Sequence, residues 1–239
     1  MNTYKKISKH PREYEKRVDR KAMVIGGTGA TGSQLIKKLL ESDSWQKVTS
    51  IGRKPVLDGE KHSKLKDIVI DSLDDMSSTV EDWKGHDIFF NCIGTTRKRA
   101  GSASKFIKIE VGISEQAAKL ASQALIPHAS VISAVGANYK QWSQDWIQPL
   151  LYVKTIGQKE QTLIKTLFYR VSIFRPGMLI RQLDKSTLIE SILKSSGLGL
   201  KVENLASAMI RDAECKLESN KEIPIVYIGN DCIKHSITF

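Results

Sequence analysis

Strand-sized apolar runs alternate with amphipathic helical stretches along almost the whole chain, and this alternation restricts its possible folds more than any other feature. The runs fall at 22–26, 47–52, 67–71, 87–93, 129–134, 170–174 and 224–228. Between them, 30–42 carries Leu35, Ile36, Leu39 and Leu40 at helical spacing, and 104–124 carries Ile113, Ala117, Leu120 and Ala121 on one stripe. Segments 146–168 and 202–217 also read as helices. Strands separated by helices are joined by crossovers rather than hairpins, so they run parallel. The expected architecture is α/β, a doubly wound and mainly parallel sheet forming a single domain over 21–239, preceded by a basic arm over 1–20. A chain of 239 residues with 41% hydrophobic content can fill one such core, and no internal repeat or low-complexity linker divides it.

Composition excludes several functions. The longest apolar stretches, such as Ala22–Ile25 and Val171–Phe174, are far shorter than the ~20 residues of a membrane span, so no membrane partner is expected. Cys92, Cys215 and Cys232 form no close pair, and the five His are scattered without metal-ligand spacing, which points to reduced thiols, no structural metal and a cytoplasmic compartment. Met1–Lys21 is rich in Lys and Arg, but Glu13, Glu15 and Asp19 interrupt it and disfavour a mitochondrial presequence. The net charge of +11 is dispersed apart from that arm and Arg97–Arg99, and no aromatic residues interleave with it. A solvated surface is therefore preferred to a nucleic-acid partner.

The first strand runs into Gly26-Gly27-Thr28-Gly29-Ala30-Thr31-Gly32 at the mouth of a helix. In that context Gly26 permits a tight turn, Gly29 lets the backbone approach a pyrophosphate, and Gly32 lets helix and strand pack closely. Free N–H groups at the helix start would then meet the phosphates, so Gly26, Thr28, Gly29, Ala30, Thr31 and Gly32 are candidate dinucleotide-binding residues. After the second strand comes Gly52-Arg53-Lys54, where an NAD site would carry an acid for the ribose hydroxyls. Arg53 and Lys54 suit a 2′-phosphate instead, one as a planar fork and the other as a point charge, so NADP(H) is expected in preference to NAD(H). Asp71 and Ser72 follow the third strand, where a carboxylate can accept from the adenine amino group. Cys92, Ile93 and Gly94 follow the fourth and would pass the cofactor ribose, Cys92 reading as a small buried apolar residue.

With these segments in order, the chain resembles the atypical short-chain dehydrogenase/reductase family. The matching stretches are Lys47–Arg53, Gly85-His86-Asp87, Cys92–Arg97 (CIGTTR), Ala100-Gly101 and Val171–Gly177 (VSIFRPG), together spanning roughly 20 to 215. The resemblance implies a Rossmann domain that binds NADPH, a cytoplasmic or partly nuclear location, and a regulatory role beside a reductase activity. It also implies that Arg175, Pro176, Gly177 and the following Met178 pass near the nicotinamide.

In this family a Tyr protonates the substrate and a Lys four residues on, one helical turn away, binds the nicotinamide ribose and eases the Tyr proton off. Here Tyr152 takes the Tyr position, but Ile156 stands where the Lys belongs. Lys154 points to another side of the helix, and Lys159 lies about 10 Å further along the axis at ~1.5 Å per residue, a poor replacement. The family's Ser-Ser pair reads Ser133-Ala134, so Ser133 is a candidate orienter and the second hydroxyl is gone. Two functions stay open at this point. One is an NADP(H)-dependent oxidoreductase-like protein that reduces a small carbonyl compound near Met178 and the 178–201 segment. The other is a regulatory module in which NADPH occupancy shapes loops read by a protein partner.

Overall fold

A computed structural model of the protein describes residues 5–6, 13–180, 199–217 and 223–237. Within them, eight parallel strands form one sheet. In chain order the strands are β1 (Lys5–Lys6), β2 (Arg20–Ile25), β3 (Trp45–Gly52), β4 (Leu65–Val69), β5 (Ile88–Asn91), β6 (His128–Ile132), β7 (Arg170–Arg175), β8 (Leu179–Ile180), β9 (Leu200–Lys201) and β10 (Ile225–Ile228). The sheet order is β1-β10-β7-β6-β5-β2-β3-β4, while β8 and β9 pair separately. All seven strand candidates are present within two residues at either end. Residues 5–6 of the basic arm join the same sheet, in parallel beside Ile225 and Val226.

The helices are α1 (Ala30–Glu41), α2 (Arg97–Ala100), α3 (Ala103–Ile107), α4 (Ile113–Gln123), α5 (Gln148–Ile164), α6 (Val202–Ala213) and α7 (Asn230–His235). Leu35, Ile36 and Leu39 of α1 meet Leu205 and Met209 of α6 in a core on one side of the sheet, behind Val24 and Phe90. Ile113, Ala117 and Leu120 of α4 and Leu163 of α5 cover the other, against Met23, Phe89 and Ile173. Alternate residues of each strand therefore face opposite layers, as the period of two requires.

The stretch 104–124, read from sequence as one helix, is divided by a π-helical turn at Lys108–Gly112. The wider turn brings Glu110 to the inside, where it is 1% exposed. Chain order reverses between β2 and β5, where the strands that follow each of them lie on opposite sides. A crevice opens at the carboxyl ends of strands at such a point, between Gly26 and Cys92 here.

Candidate functional site

That crevice is a cleft of about 690 Å³. Gly26, Thr28 and Gly29 after β2, Arg53 and Lys54 after β3, Asp71 and Ser72 after β4, and Cys92, Ile93 and Gly94 after β5 line it. Gly26 has φ +78°, and a Cβ there would lie 2.6 Å from the carbonyl of Cys92. A Cβ on Gly32 would overlap the Gly26 carbonyl, so both glycines are required by a close approach of backbone to backbone. Gly29 caps α1 without a side chain, and no acid occupies the first turn, which leaves the helix N-terminus open to an anion. Ala30, Thr31 and Gly32 form that first turn, outside the residues that line the cleft. A glycine cradle that no side chain could share, closed by a helix N-terminus, fits the pyrophosphate of a dinucleotide.

The cations are disposed unevenly. Arg53 and Lys54 are exposed at the end of β3, with no acidic partner among the described residues. Arg99, Lys105 and Lys108 also line the cleft, and Lys108 donates to Asp74 at 2.6 Å. Burial pushes the Cys92 thiol up to about 12, with the nearby Lys159 charge acting against the rise. Its thiol is therefore uncharged at neutral pH and serves as wall rather than nucleophile.

The remaining candidates lie outside the lining of this cleft. Ser133 is buried at the end of β6 and donates to Glu160 Oε1 at 2.5 Å. Arg175 grips the same carboxylate through Nε and Nη2 at 2.7 and 2.6 Å, a bidentate pair. Pro176 accepts from Val135 N–H at 3.0 Å, Gly177 N–H donates to Asn230 Oδ1 at 2.9 Å, and Met178 is exposed. Residues 181–198 of the segment beyond it lie outside the described residues. Tyr152 is partly exposed on α5, its ring stacked on Phe106 at 6.1 Å between centroids. Ile156 is buried with Ala103, Phe106, Ala137 and Leu151, and Ala134 packs against that cluster. The two positions that would carry polar catalytic groups, 134 and 156, are thus part of one apolar cluster.

Three buried polar residues, Asn91, Glu160 and Glu110, escaped the sequence reading, and a fourth, Lys159, was weighed there only as a poor replacement for a lysine at 156. Asn91 spans the strand end, donating to Ser114 Oγ at 2.8 Å and accepting from Ile93 N–H at 3.1 Å. Glu160 holds Ser133 and Arg175 as described. Glu110 accepts from Thr95 N–H at 2.6 Å and from Lys159 Nζ at 3.1 Å. Lys159 also donates to the Ile93 carbonyl. A signal was available in α5: Leu151, Thr155, Lys159 and Leu163 repeat every fourth residue and all are buried, so Lys159 sits on the inward stripe.

A doubly wound parallel sheet with this glycine cradle at its switch point defines a dinucleotide-binding domain of the short-chain dehydrogenase/reductase type. The chain belongs to the NAD(P)H-binding family, whose model matches residues 26–212. It is 36% identical to Protein FMP52, mitochondrial, of Debaryomyces hansenii, over 69% of each chain. To Protein FMP52-1, mitochondrial, of Scheffersomyces stipitis it is 34% identical, over 69% of this chain and 70% of that one. To Protein HTATIP2 of Rattus norvegicus it is 27% identical, over 92% of this chain and 93% of that one. In fold it matches the crystal structure of the oxidoreductase ylbE from Lactococcus lactis with a TM-score of 0.62, at 16% identity, covering 91% of this chain and 95% of that one. These relatives correct one expectation. A cytoplasmic compartment was expected from the unpaired thiols, and a cytoplasmic or partly nuclear one from the family resemblance, yet the FMP52 proteins are named mitochondrial, which points away from the cytoplasm. Reduced cysteines do not distinguish the cytosol from an organelle interior.

Proposed function

We propose that this protein binds NADP(H) in preference to NAD(H) and is a slow reductase of a small carbonyl compound, with Tyr152 as proton donor. The observation that carries the reading is the end of β3, where Arg53 and Lys54 enter the cleft without an acidic partner among the described residues. Gly26–Gly32 would hold the pyrophosphate, Arg53 and Lys54 the 2′-phosphate, and Asp71 and Ser72 the adenine. When bound, the dinucleotide supplies a hydride to the carbonyl carbon. Tyr152 gives its phenolic proton to the carbonyl oxygen, so the alcohol leaves neutral. Ile156 offers no ammonium to stabilise the phenolate left behind, and Ala134 offers no hydroxyl to polarise the carbonyl. Ser133 is engaged by Glu160. The chain therefore forgoes much of the roughly 10²- to 10⁴-fold that positioned proton transfer contributes.

A second reading, a binding module whose surface depends on cofactor occupancy, is favoured by a different observation. The segment leading into α5 leaves Trp142 and Trp146 exposed at 61% and 74%, and the positions where catalytic groups would stand, 134 and 156, are apolar. Large exposed aromatics of this kind are typical anchors for a protein partner. For the compartment, we propose a mitochondrial location on the names of the FMP52 relatives; subcellular fractionation tests it.

Calorimetric titration with NADPH and NADH, on the wild-type chain and on Arg53→Ala, tests the cofactor assignment. NADPH affinity should fall about ten- to a hundredfold in the variant, the worth of a charge-assisted phosphate contact, with NADH nearly unaffected. Equal loss for both nucleotides overturns the 2′-phosphate assignment. Turnover of a carbonyl panel that is abolished by Tyr152→Phe supports the reductase, whereas binding without turnover supports the module.

A further inference from the structure

Beneath the cleft floor lies an ion pair that the proposed chemistry leaves unused. Lys159 and Glu110 are each only 1% exposed and their charged groups meet at 3.1 Å. Each also holds the backbone of the floor. The Lys159 ammonium donates to the carbonyl of Ile93, and Glu110 Oε1 accepts from the N–H of Thr95 at 2.6 Å. Asn91 Oδ1 accepts from the N–H of Ile93. Three backbone polar groups flanking Gly94, the N–H and carbonyl of Ile93 and the N–H of Thr95, are thereby pinned, while Ile93, Gly94 and Thr95 line the cleft. No heavy atom lies within 4 Å of a Cβ built on Gly94.

A buried ion pair is a poor source of stability, because stripping water from both charges offsets most of their attraction, and an apolar pair of similar volume often serves as well. What the pair supplies here is a fixed direction for two backbone groups. Lys159 reaches the floor because helical side chains lean towards the N-terminus of their helix, which carries its ammonium back towards the level of Ile156. Axial spacing alone, the ground on which Lys159 looked a poor replacement for a lysine at 156, leaves out that reach.

We propose that Lys159 and Glu110 are positioning residues for the dinucleotide: they hold Ile93-Gly94-Thr95 in the conformation on which the cofactor packs, a share of the work left vacant by Ile156. Neither touches the cofactor, and the inference rests on the cleft being the NADP(H) site.

The test is NADPH titration by calorimetry, alongside thermal melting, on wild type, Lys159→Met, Glu110→Gln and the double variant Lys159→Met/Glu110→Leu. Each single variant strands a buried charge or weakens its partner, so melting temperature and NADPH affinity both fall, the latter about tenfold. In the double variant the melting temperature returns towards wild type but the affinity does not, because the Thr95 amide and Ile93 carbonyl have lost their anchors. Amide exchange at Thr95 should accelerate in all three. Affinity that recovers together with stability in the double variant assigns the pair to packing alone and overturns the proposal. If the double variant does not fold, Glu110→Gln decides, since it keeps the shape of the side chain: unchanged NADPH affinity there also overturns it. Wild-type protein that binds neither NADPH nor NADH would instead sink the cleft assignment on which the inference rests.

Discussion

Ile156 is almost fully buried beside Phe106 and Leu151, and the carboxylate one helical turn on, Glu160, is already held by Ser133 and Arg175. Restoring the lysine that the family pattern expects should therefore harm the protein before it helps catalysis. Ile156→Lys is expected to lower unfolding free energy by about 3 kcal/mol, the scale for an uncompensated buried charge, measured by urea denaturation. An unchanged midpoint would show that the cluster admits an ammonium. At this scale the sequence was legible where one residue answers one question: Gly26, Gly32, Arg53 and Cys92 stand at or beside the cleft in the order their motifs imply. Partnerships were not legible. Glu160 meets Ser133 from 27 positions away and Glu110 meets Lys159 across 49, and no local pattern encodes which charges will face each other once the sheet closes.

At the scale of elements, α5 rests on the loop before it through Gly157. A Cβ there would overlap the backbone of Asn138 and Tyr139, and Asn138 N–H donates to the Val153 carbonyl at 3.0 Å. Helix propensity alone gives Gly→Ala a gain of about 1 kcal/mol, but backbone offers no flexible end to move aside. Contact wins over propensity, so Gly157→Ala should lower the melting temperature, and a rise would mean that the loop is free to lift away. The elements themselves were largely readable, since Ala22–Ile25 is a continuous apolar run and α1 carries its stripe at the right period. The π turn at Lys108–Gly112 was not, because one residue inserted into a helix leaves the apolar pattern almost unchanged while rotating Glu110 inward.

Across the whole molecule, acid sensitivity has a definable source in His86. Its Nδ1 faces the Trp83 carbonyl at 3.0 Å, which assigns the proton to Nδ1, and Nε2 then accepts from Thr49 Oγ1 at 2.9 Å, joining β3 to the turn before β5. Burial holds the imidazole below its ordinary pKa. The unfolded chain thus takes up a proton at a higher pH than the native one, and the contribution of neutral His86 is complete above about pH 6.5 and lost as pH falls through the lower folded value. His86→Gln should flatten the fall of melting temperature between neutral and mildly acidic pH; an unaltered slope would place the sensitivity elsewhere.

One pairing in the sheet also orders events in time. Lys5 lies beside Ile225, so β1 meets its neighbour in the sheet only once a residue 220 positions further along the chain has been made. The contacts among β2 to β7 can form before that, whereas β10 beside β7 and β1 beside β10 both wait for it. Closure of that edge is a late event of synthesis, and until residue 225 is made β1 has no strand to pair with in the sheet.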